Sequence, residues 1–276
     1  MKKAELEIME MGFLLEAVFK VYGYDFREYS EASIRRRLFH WLTESGFATF
    51  SEAEAAIVRD RNLFDSFLRG ITVNVSEMFR DPLFFKALRK EVVPFLKTYP
   101  FVKIWHAGCA TGEEAYSMAI LLEEEGLKGR YRIYATDINE DVLRKAKNGI
   151  YRLGEMQRYT RNYQKSDGRA SFADYYTADD DNAIMMPAIK EHIVFSSHNL
   201  ATDAEFGEMN LVLCRNVLIY FKPGLKERVL SLFDSALQPG GFLCLGLKES
   251  LEQRDIAGSY QEIASPMRIY RKCYGR

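Results

Sequence analysis

The chain has 276 residues, of which 47% are hydrophobic, enough for one large folded domain or for a large and a small one. Its 38 lysines and arginines nearly balance 39 acidic residues, so the composition excludes a globally basic nucleic-acid-binding protein and an acidic disordered chain. No apolar run reaches the ~18 residues of a membrane span, and acidic residues interrupt the apolar N-terminal stretch, so we predict neither membrane insertion nor a signal peptide. The four cysteines lie far apart without a CxxC pair, which favours a reducing, cytoplasmic location.

The first quarter of the chain has the apolar periodicity of helices. Between Leu6 and Arg69 apolar residues recur at spacings of three and four, and single glycines separate the runs. We therefore predict a small all-helical N-terminal domain over 1–70. A linker over 71–82 follows, in which Asp81-Pro82 has the pattern of a helix N-cap and first helical residue.

From Phe101 onwards, short apolar runs alternate with amphipathic helical patterns. This alternation predicts an α/β domain over 83–276, built around a mostly parallel sheet. The rhythm breaks over about 152–192, where a polar, aromatic and Asp-rich segment is too long for an ordinary loop. We expect that segment to form a small inserted subdomain.

A glycine turn ends the first predicted strand of this domain. In HAGCATGEEA, which begins at His106, Gly108 and Gly112 allow the backbone to approach a ligand and to turn into a helix. The second predicted strand ends in Asp137, about 25 residues after Gly112, close to the spacing at which an acidic side chain takes a ribose hydroxyl pair. The pairing predicts a cofactor that contains adenosine.

Two glutamates directly after this turn indicate which adenosine cofactor is meant. A dinucleotide site has the spacing GxGxxG and holds a pyrophosphate, which Glu113 and Glu114 would repel. S-adenosylmethionine has no phosphate and carries an ammonium and a sulfonium, so it is favoured over NAD(P). For at least one of the two glutamates, a favourable interaction with the helix dipole is the alternative explanation.

Two further predicted strands end in polar residues. They are followed by Asn199-Leu200 and by Arg215-Asn216. Each asparagine could instead cap a helix, but their joint position at strand ends favours a ligand-binding role. The Asn/Asp-Pro-Pro-Tyr/Phe tetrad of nucleic-acid amino-methyltransferases is missing there, so we do not expect a nucleic-acid substrate. No histidine has a spaced metal-binding partner, and no metal is predicted.

Five segments together carry a family resemblance. They are ITVNVSEMFRD (71–81), IWHAGCATGEEAYSMAI (104–120), YATDINEDVLRKAKNGIYR (134–152), FSSHNL (195–200) and CRNVLIYF (214–221). In this order, along nearly the whole chain, they resemble the motifs of CheR-type methyltransferases, bacterial enzymes that methylate glutamate side chains of chemotaxis receptors. The resemblance implies a Rossmann-like class I methyltransferase domain after a helical domain. It also implies methyl transfer from S-adenosylmethionine to glutamate carboxylates, giving methyl esters and S-adenosylhomocysteine.

The resemblance also assigns site residues. The positions that match cofactor contacts of the family are Asn74, Ser76, Arg80, Glu114, Asp137, Asn199, Leu200, Arg215 and Asn216. Tyr220 matches a tyrosine close to the methyl-transfer centre, and with Arg80 it is predicted to shape the reaction geometry. A surface ion pair is the alternative role for Arg80, and a core aromatic position is the alternative for Tyr220. Ser76 stands where the family often has threonine, and it keeps the hydroxyl.

Receptor binding is expected on the predicted helix ASIRRRLFHWL. By the resemblance, Arg35, Arg36 and Arg37 meet the acidic methylation helices of the receptor, although such a charge run is usually a solvated face. Some relatives hold a receptor's C-terminal pentapeptide through a glycine-bearing loop of the inserted subdomain. The segment 152–191 has no comparable GxG, so tethering by such a peptide is not expected here.

The predicted reaction needs no general base, because a free glutamate with a pKa of ~4.3 is already ionised at neutral pH. This agrees with a sequence that has no His or Cys nucleophile signature. Two other functions fit the same fold: a non-catalytic signalling adapter and a small-molecule carboxyl methyltransferase. An NAD(P) oxidoreductase ranks last, because Glu113 and Glu114 oppose its pyrophosphate.

Overall fold

The computed structural model describes residues 3–251 and 258–274. They belong to two compact units. The first unit comprises Met1–Val73, Asn199–Asp203 and Ile219–Val229, and the second comprises Asn74–His198, Ala204–Leu218 and Leu230–Arg276. The outermost residues of the predicted domains lie outside the described part of the chain.

In its described N-terminal part, residues 3–73, the first unit has four helices. They are α1 (Lys3–Tyr22), α2 (Glu31–Ser45), α3 (Phe50–Ile57) and α4 (Arg61–Ile71). Their boundaries follow local chemistry: the Thr49 hydroxyl accepts a hydrogen bond from the Glu52 backbone N–H (3.1 Å) at the start of α3, and Gly46 ends α2 with φ 76°. The predicted all-helical domain is confirmed.

An aromatic core holds these helices together. Phe64 and Phe67 of α4 are fully buried, and the Trp41 ring of α2 packs edge-on against Phe67 at 5.3 Å between centroids. Gly70 allows this approach, since a Cβ there would lie 2.7 Å from Trp41 Cδ1. The predicted apolar faces of these helices therefore form the core of the first unit.

The second unit is an α/β domain with ten strands in its described part. They are β1 (Val102–Ala107), β2 (Tyr131–Asp137), β3 (Ile150–Arg152), β4 (Tyr176–Ala178), β5 (Asn182–Met185), β6 (Ile193–Ser197), β7 (Met209–Cys214), β8 (Leu237–Leu245), β9 (Tyr260–Ala264) and β10 (Ile269–Lys272). Seven of them form one sheet in the order β6-β2-β1-β7-β8-β10-β9. The first five in this order run parallel, and β10 and β9 are antiparallel additions at one edge.

Helices precede and connect these strands. They are α5 (Pro82–Ala87), a π-helical turn (Leu88–Val92) that continues into α6 (Val93–Leu96), α7 (Glu113–Glu124), α8 (Glu140–Asn148), α9 (Leu153–Lys165), α10 (Pro187–Lys190) and α11 (Pro223–Ala236). Helix α5 begins at Pro82, as predicted. In the described ranges, none of the helices has an apolar stretch long enough to cross a membrane.

The segment between α8 and β6 folds as a small structure of its own. Strands β3, β5 and β4 form an antiparallel sheet in that order, and α9 packs beside it. Although its sheet is separate, the buried rings of Tyr159, Tyr163 and Phe172 belong to the same hydrophobic core as the large sheet.

The order of the large sheet defines where a ligand can bind. From β1 the chain proceeds to β2 on one side and later returns to β7 on the other, so the strand order reverses between β1 and β7. In open α/β sheets the ligand crevice lies at this switch point, beyond the carboxyl ends of the strands. The glycine turn after β1 and Arg215-Asn216 after β7 flank it, and the predicted α/β fold with a mostly parallel sheet is confirmed.

Candidate functional site

The glycine turn is fixed to the end of the neighbouring strand. The backbone N–H groups of Gly108 and Cys109 both donate to the Thr136 carbonyl, at 2.8 and 2.9 Å. Three residues of the turn have left-handed backbone, with φ 79° at Gly108, 48° at Ala110 and 91° at Gly112. The turn is therefore a rigid, tightly wound segment, for which glycine is required at two positions.

Asp137 completes this attachment at the end of β2. Its Oδ2 accepts from the Ala110 N–H at 2.9 Å and its Oδ1 accepts from the Asn139 N–H at 3.0 Å. Burial raises the pKa of Asp137, and these backbone donors act in the opposite direction. The half-buried carboxylate has more lone pairs than backbone donors, so it can still accept a hydrogen bond from a ligand hydroxyl.

Arg215 is the centre of charge at the switch point. Its Nη1 lies 2.6 Å from Glu114 Oε2 and its Nη2 lies 2.7 Å from Asp81 Oδ2. The guanidinium carbon lies 3.8 Å from the centre of the Phe84 ring, and the side chain is 0% exposed. Two carboxylates thus share one guanidinium, and the cluster keeps a net negative charge. That charge suits a ligand with an ammonium and a sulfonium and opposes a pyrophosphate.

The two glutamates of the turn have different environments. Burial by itself would raise the pKa of Glu114, but Arg215 and the nearby His106 outweigh it and hold that pKa at about 2. Burial raises the pKa of Glu113, whose two carboxylate oxygens accept from the Thr111 hydroxyl at 2.9 and 2.7 Å. Glu113 thus lies in the first turn of α7 and is bound to Thr111. This position agrees with the helix-dipole role that the sequence allowed for at least one of the two glutamates. Glu114 is the ionised group of the ligand crevice.

The segment that carries Arg80 is strained and anchored on both sides. Phe79 has φ 52°, in the left-handed region that a bulky residue rarely adopts, and Asp81 follows with φ 58°. The Phe79 N–H donates to Ser117 Oγ at 2.8 Å, and Asp81 is held by Arg215. Asp81 is the N-cap residue of α5, as predicted, but its side chain makes no capping hydrogen bond. Its carboxylate instead accepts a hydrogen bond from Arg215.

Arg80 itself is half-buried and lies beside this cluster. Its carbonyl oxygen is 3.5 Å from Arg215 Nη1. Within residues 3–251 and 258–274, its guanidinium makes no hydrogen bond or ion pair, so the alternative of a surface ion pair finds no partner there. Asn74 and Ser76 lie in the irregular stretch that leads to Arg80, and the Ser76 hydroxyl is one of the groups that oppose the rise in the pKa of Glu113.

Glu249, which the sequence did not suggest, holds the turn after β7. Its Oε2 accepts from the Asn216 N–H at 3.0 Å and from the Gly246 N–H at 2.6 Å, and the residue is 5% exposed. Asn216 has φ 61°, a left-handed conformation that asparagine tolerates better than most residues. The buried carboxylate therefore fixes the backbone that presents Arg215 and Asn216.

The remaining predicted site residues belong to the first unit. Asn199 closes a turn, because its Oδ1 accepts from the Ala201 N–H at 3.0 Å and its own N–H donates to Asp203 at 2.8 Å. Leu200 is buried, and Tyr220 is half-buried in a short 3₁₀ turn. The side chain of Asn199 thus makes a local hydrogen bond to the backbone, as capping asparagines do, and capping was the alternative to ligand binding that the sequence allowed.

In the described part of the chain, three of the cysteines are buried, and Cys273, near the C-terminus, is exposed. Cys109, Cys214 and Cys244 are buried, and burial raises the pKa of each thiol, so they are poor nucleophiles. Among the residues that the structure describes, no group of three or more His, Cys, Asp or Glu side chains could hold a metal ion.

Comparison with known proteins identifies the family. The family model "CheR methyltransferase, SAM binding domain" matches residues 74–265, and "CheR methyltransferase, all-alpha domain" matches residues 9–72. The protein Cher3 of Pseudomonas putida is 49% identical over 264 residues, which cover 96% of this chain and 97% of that protein.

Two further relatives are named for chemotaxis. A "Chemotaxis protein methyltransferase" of Listeria innocua is 32% identical over 83% of this chain and 85% of its own length. "Chemotaxis protein methyltransferase 1" of Pseudomonas aeruginosa is 30% identical over 86% of this chain and 88% of its own length. The predicted family and the predicted cofactor, S-adenosylmethionine, are confirmed. The chain belongs to the CheR methyltransferase family and is an S-adenosylmethionine-dependent methyltransferase.

Proposed function

We propose that this chain transfers a methyl group from S-adenosylmethionine to glutamate carboxylates of a chemoreceptor-type protein. The observation that carries the proposal is the guanidinium of Arg80, which has no hydrogen-bond or ion-pair partner among the described residues. The backbone carbonyl of Arg80 lies 3.5 Å from Arg215 Nη1, and two carboxylates already neutralise that arginine. A free guanidinium is suited to hold an incoming carboxylate through two parallel hydrogen bonds. The strained, anchored residues Phe79 and Asp81 hold the backbone from which the Arg80 side chain extends.

Most of the residues proposed to hold the cofactor belong to the second unit. Asp137 would accept the ribose hydroxyls, Glu114 would face the ammonium, and Asn74, Ser76, Asn199, Leu200, Arg215 and Asn216 complete the proposed set. When bound, S-adenosylmethionine supplies a methyl group on a positively charged sulfur. The chain's own task is then to exclude water and to orient a carboxylate that is already ionised, and orientation of this kind can contribute about 7 to 11 kcal/mol.

A protein substrate is supported by the chemotaxis names of the relatives and by the surface of α2. Arg36 is exposed and Arg35 is half-buried over the Phe39 ring, so both can meet acidic receptor helices. Such helices belong to the cytoplasmic part of a receptor, and a cytoplasmic location for this chain is part of the proposal. In the proposed reaction the ionised substrate carboxylate is itself the nucleophile, so the chain needs no thiol of its own.

The test is a methyl-transfer assay with a purified receptor cytoplasmic fragment and methyl-labelled S-adenosylmethionine. We expect label that base releases as methanol, the property of a carboxyl methyl ester, at glutamates located by mass spectrometry. Arg80→Ala should lower kcat/KM at least tenfold, while Arg161→Ala, an exposed arginine of α9, serves as the matched control.

Three other outcomes would contradict the proposal in different ways. Label on small carboxylic acids but not on the receptor fragment would favour a small-molecule methyltransferase. Binding of S-adenosylhomocysteine in calorimetry, without transfer to any carboxylate, would favour a signalling adapter. Full activity of Arg80→Ala would remove the assignment of the guanidinium to the substrate.

A further inference from the structure

Arg37 differs from its two neighbours on α2, because its side chain is engaged inside the first unit. Its Nη1 donates to the Ile71 carbonyl at 2.7 Å and its Nη2 donates to Ser33 Oγ at 2.8 Å. Its guanidinium carbon lies 4.5 Å from the centre of the Tyr220 ring. The residue is half-buried, and burial lowers its pKa. A guanidinium held in this way is poorly placed to meet a separate receptor surface.

The backbone of Tyr220 is held by the same unit. The Ser30 N–H donates to the Tyr220 carbonyl at 2.7 Å, and Tyr29 forms an isolated antiparallel bridge with Phe221. The rings of Tyr29 and Phe221 pack edge-on at 4.9 Å. The carbonyl and the ring of Tyr220 are therefore each held by a different group of the helical unit.

The free end of Tyr220 is its hydroxyl. In the part of the chain that the structure describes, that hydroxyl has no hydrogen-bond partner, although the ring is packed against a cation. A charged guanidinium over an aromatic face restrains the ring without using the hydroxyl. The result is an aromatic side chain that is oriented but still able to donate or accept one hydrogen bond.

We infer that Arg37 is a positioning residue that sets the ring of Tyr220 for methyl transfer and does not contact the receptor. This inference rests on the proposed function and on the resemblance, which implies that Tyr220 acts close to the methyl-transfer centre. It separates Arg37 from Arg35 and Arg36, which keep their proposed role in receptor binding. The three arginines therefore serve two purposes, although they are adjacent in the sequence.

A spectroscopic test addresses the contact without any catalysis. In protein labelled with ring-¹³C tyrosine, the Tyr220 resonance is the one that is absent from Tyr220→Phe. We expect Arg37→Ala to shift this resonance and Arg37→Lys to restore it in part, whereas His40→Ala, one turn further along α2, leaves it in place. An unmoved resonance in Arg37→Ala would overturn the inference, even if the chain proved inactive on receptors.

Kinetics with the receptor fragment address the role. We expect Arg37→Ala to lower kcat about tenfold at nearly constant KM, and Arg36→Ala to raise KM at constant kcat. In a Tyr220→Phe background, Arg37→Ala should cause little further loss, because both changes act on the same group. A raised KM for Arg37→Ala, additive losses, or full activity of Tyr220→Phe would each overturn the inference. Failure of the wild-type chain to methylate the receptor would instead overturn the proposed function.

Discussion

Arg215, which directly follows β7, donates to Glu114 on α7 across the switch point of the sheet, with 2.6 Å between Nη1 and Oε2. Through Nη2 the same guanidinium holds Asp81, which precedes α5. One buried cation therefore joins the ends of three segments that are far apart in the sequence. Removing any one of the three side chains would leave a partly buried charge without its partner, so the structure of the ligand crevice depends on all of them.

We expect Arg215→Ala to destabilise the fold by about 3 to 5 kcal/mol, since it leaves the partly buried carboxylates of Glu114 and Asp81 without their cation. Arg215→Lys keeps the charge but replaces a planar fork by a point charge that cannot hold both partners. It should retain more stability than the alanine variant and still lose at least tenfold in affinity for S-adenosylhomocysteine.

Urea unfolding and calorimetric titration measure the two effects of the Arg215 variants. Arg144→Ala provides the control, because Arg144 is an exposed arginine paired with Asp141, and such a pair contributes about 0 to 1 kcal/mol. If Arg215→Lys kept the stability and affinity of the wild type, a guanidinium that binds both Glu114 and Asp81 would not be required.

The pH dependence of stability should reveal the charge of Glu114. Its pKa is about 2 in the folded chain, below the ordinary 4.5, so the ionised form is favoured by folding. This contribution, about 3 kcal/mol by linkage, is fully present above pH ~5 and is lost as the pH falls from ~4.5 towards 2. We therefore expect the difference in unfolding free energy between wild type and Glu114→Gln to shrink over that range.

Urea unfolding at a series of pH values tests this expectation. Glu140→Gln, a substitution of an exposed glutamate at the start of α8, is the control for a change of net charge alone. If the difference for Glu114→Gln stayed constant from pH 7 to pH 3, the carboxylate would not be held ionised by Arg215.

The glycine turn and Asp137 could be predicted from the sequence because both follow from local rules. Glycine spacing reports where the backbone needs a positive φ, and the distance from the turn to the next strand end is set by the length of one helix and one strand. The helices of the first unit were predictable for a similar reason, since apolar periodicity records which face is buried. The structure confirms the fold class in each of these parts.

Ion pairs and buried acceptors between distant segments could not be predicted in this way. Asp81 reads as a helix cap because it precedes proline, and its true partner, Arg215, lies 134 positions away. Glu249 has no motif of its own, and its role appears only once β7 and β8 lie side by side. Arg37 looks like its neighbours in RRR, and only the fold shows which arginine faces Tyr220.

Glu249 offers a test of the turn that presents Asn216. In Glu249→Ala the buried N–H groups of Asn216 and Gly246 lose their acceptor, which should destabilise the fold by about 2 kcal/mol or more. Glu249→Gln keeps one carbonyl oxygen and should recover a good part of the loss. Because the turn is part of the proposed cofactor site, affinity for S-adenosylhomocysteine should follow the same order in calorimetry. Equal values for Ala and Gln would show that the carboxylate does not hold the turn.

Gly112, at the end of the glycine turn, is expected to tolerate alanine poorly for two separable reasons. Its φ of 91° strains any L-residue, and an added Cβ would lie 2.9 Å from the Ala146 Cβ and 3.2 Å from Phe195 Cε1. Gly126 has φ 78° with nothing within 4 Å, so Gly126→Ala measures backbone strain alone, about 1 to 2 kcal/mol. We expect Gly112→Ala to lose about 1 to 3 kcal/mol beyond that in urea unfolding, because α8 must move away from the turn. Equal losses in the two variants would contradict the expected clash, because they would show that the turn can accommodate a Cβ without moving α8.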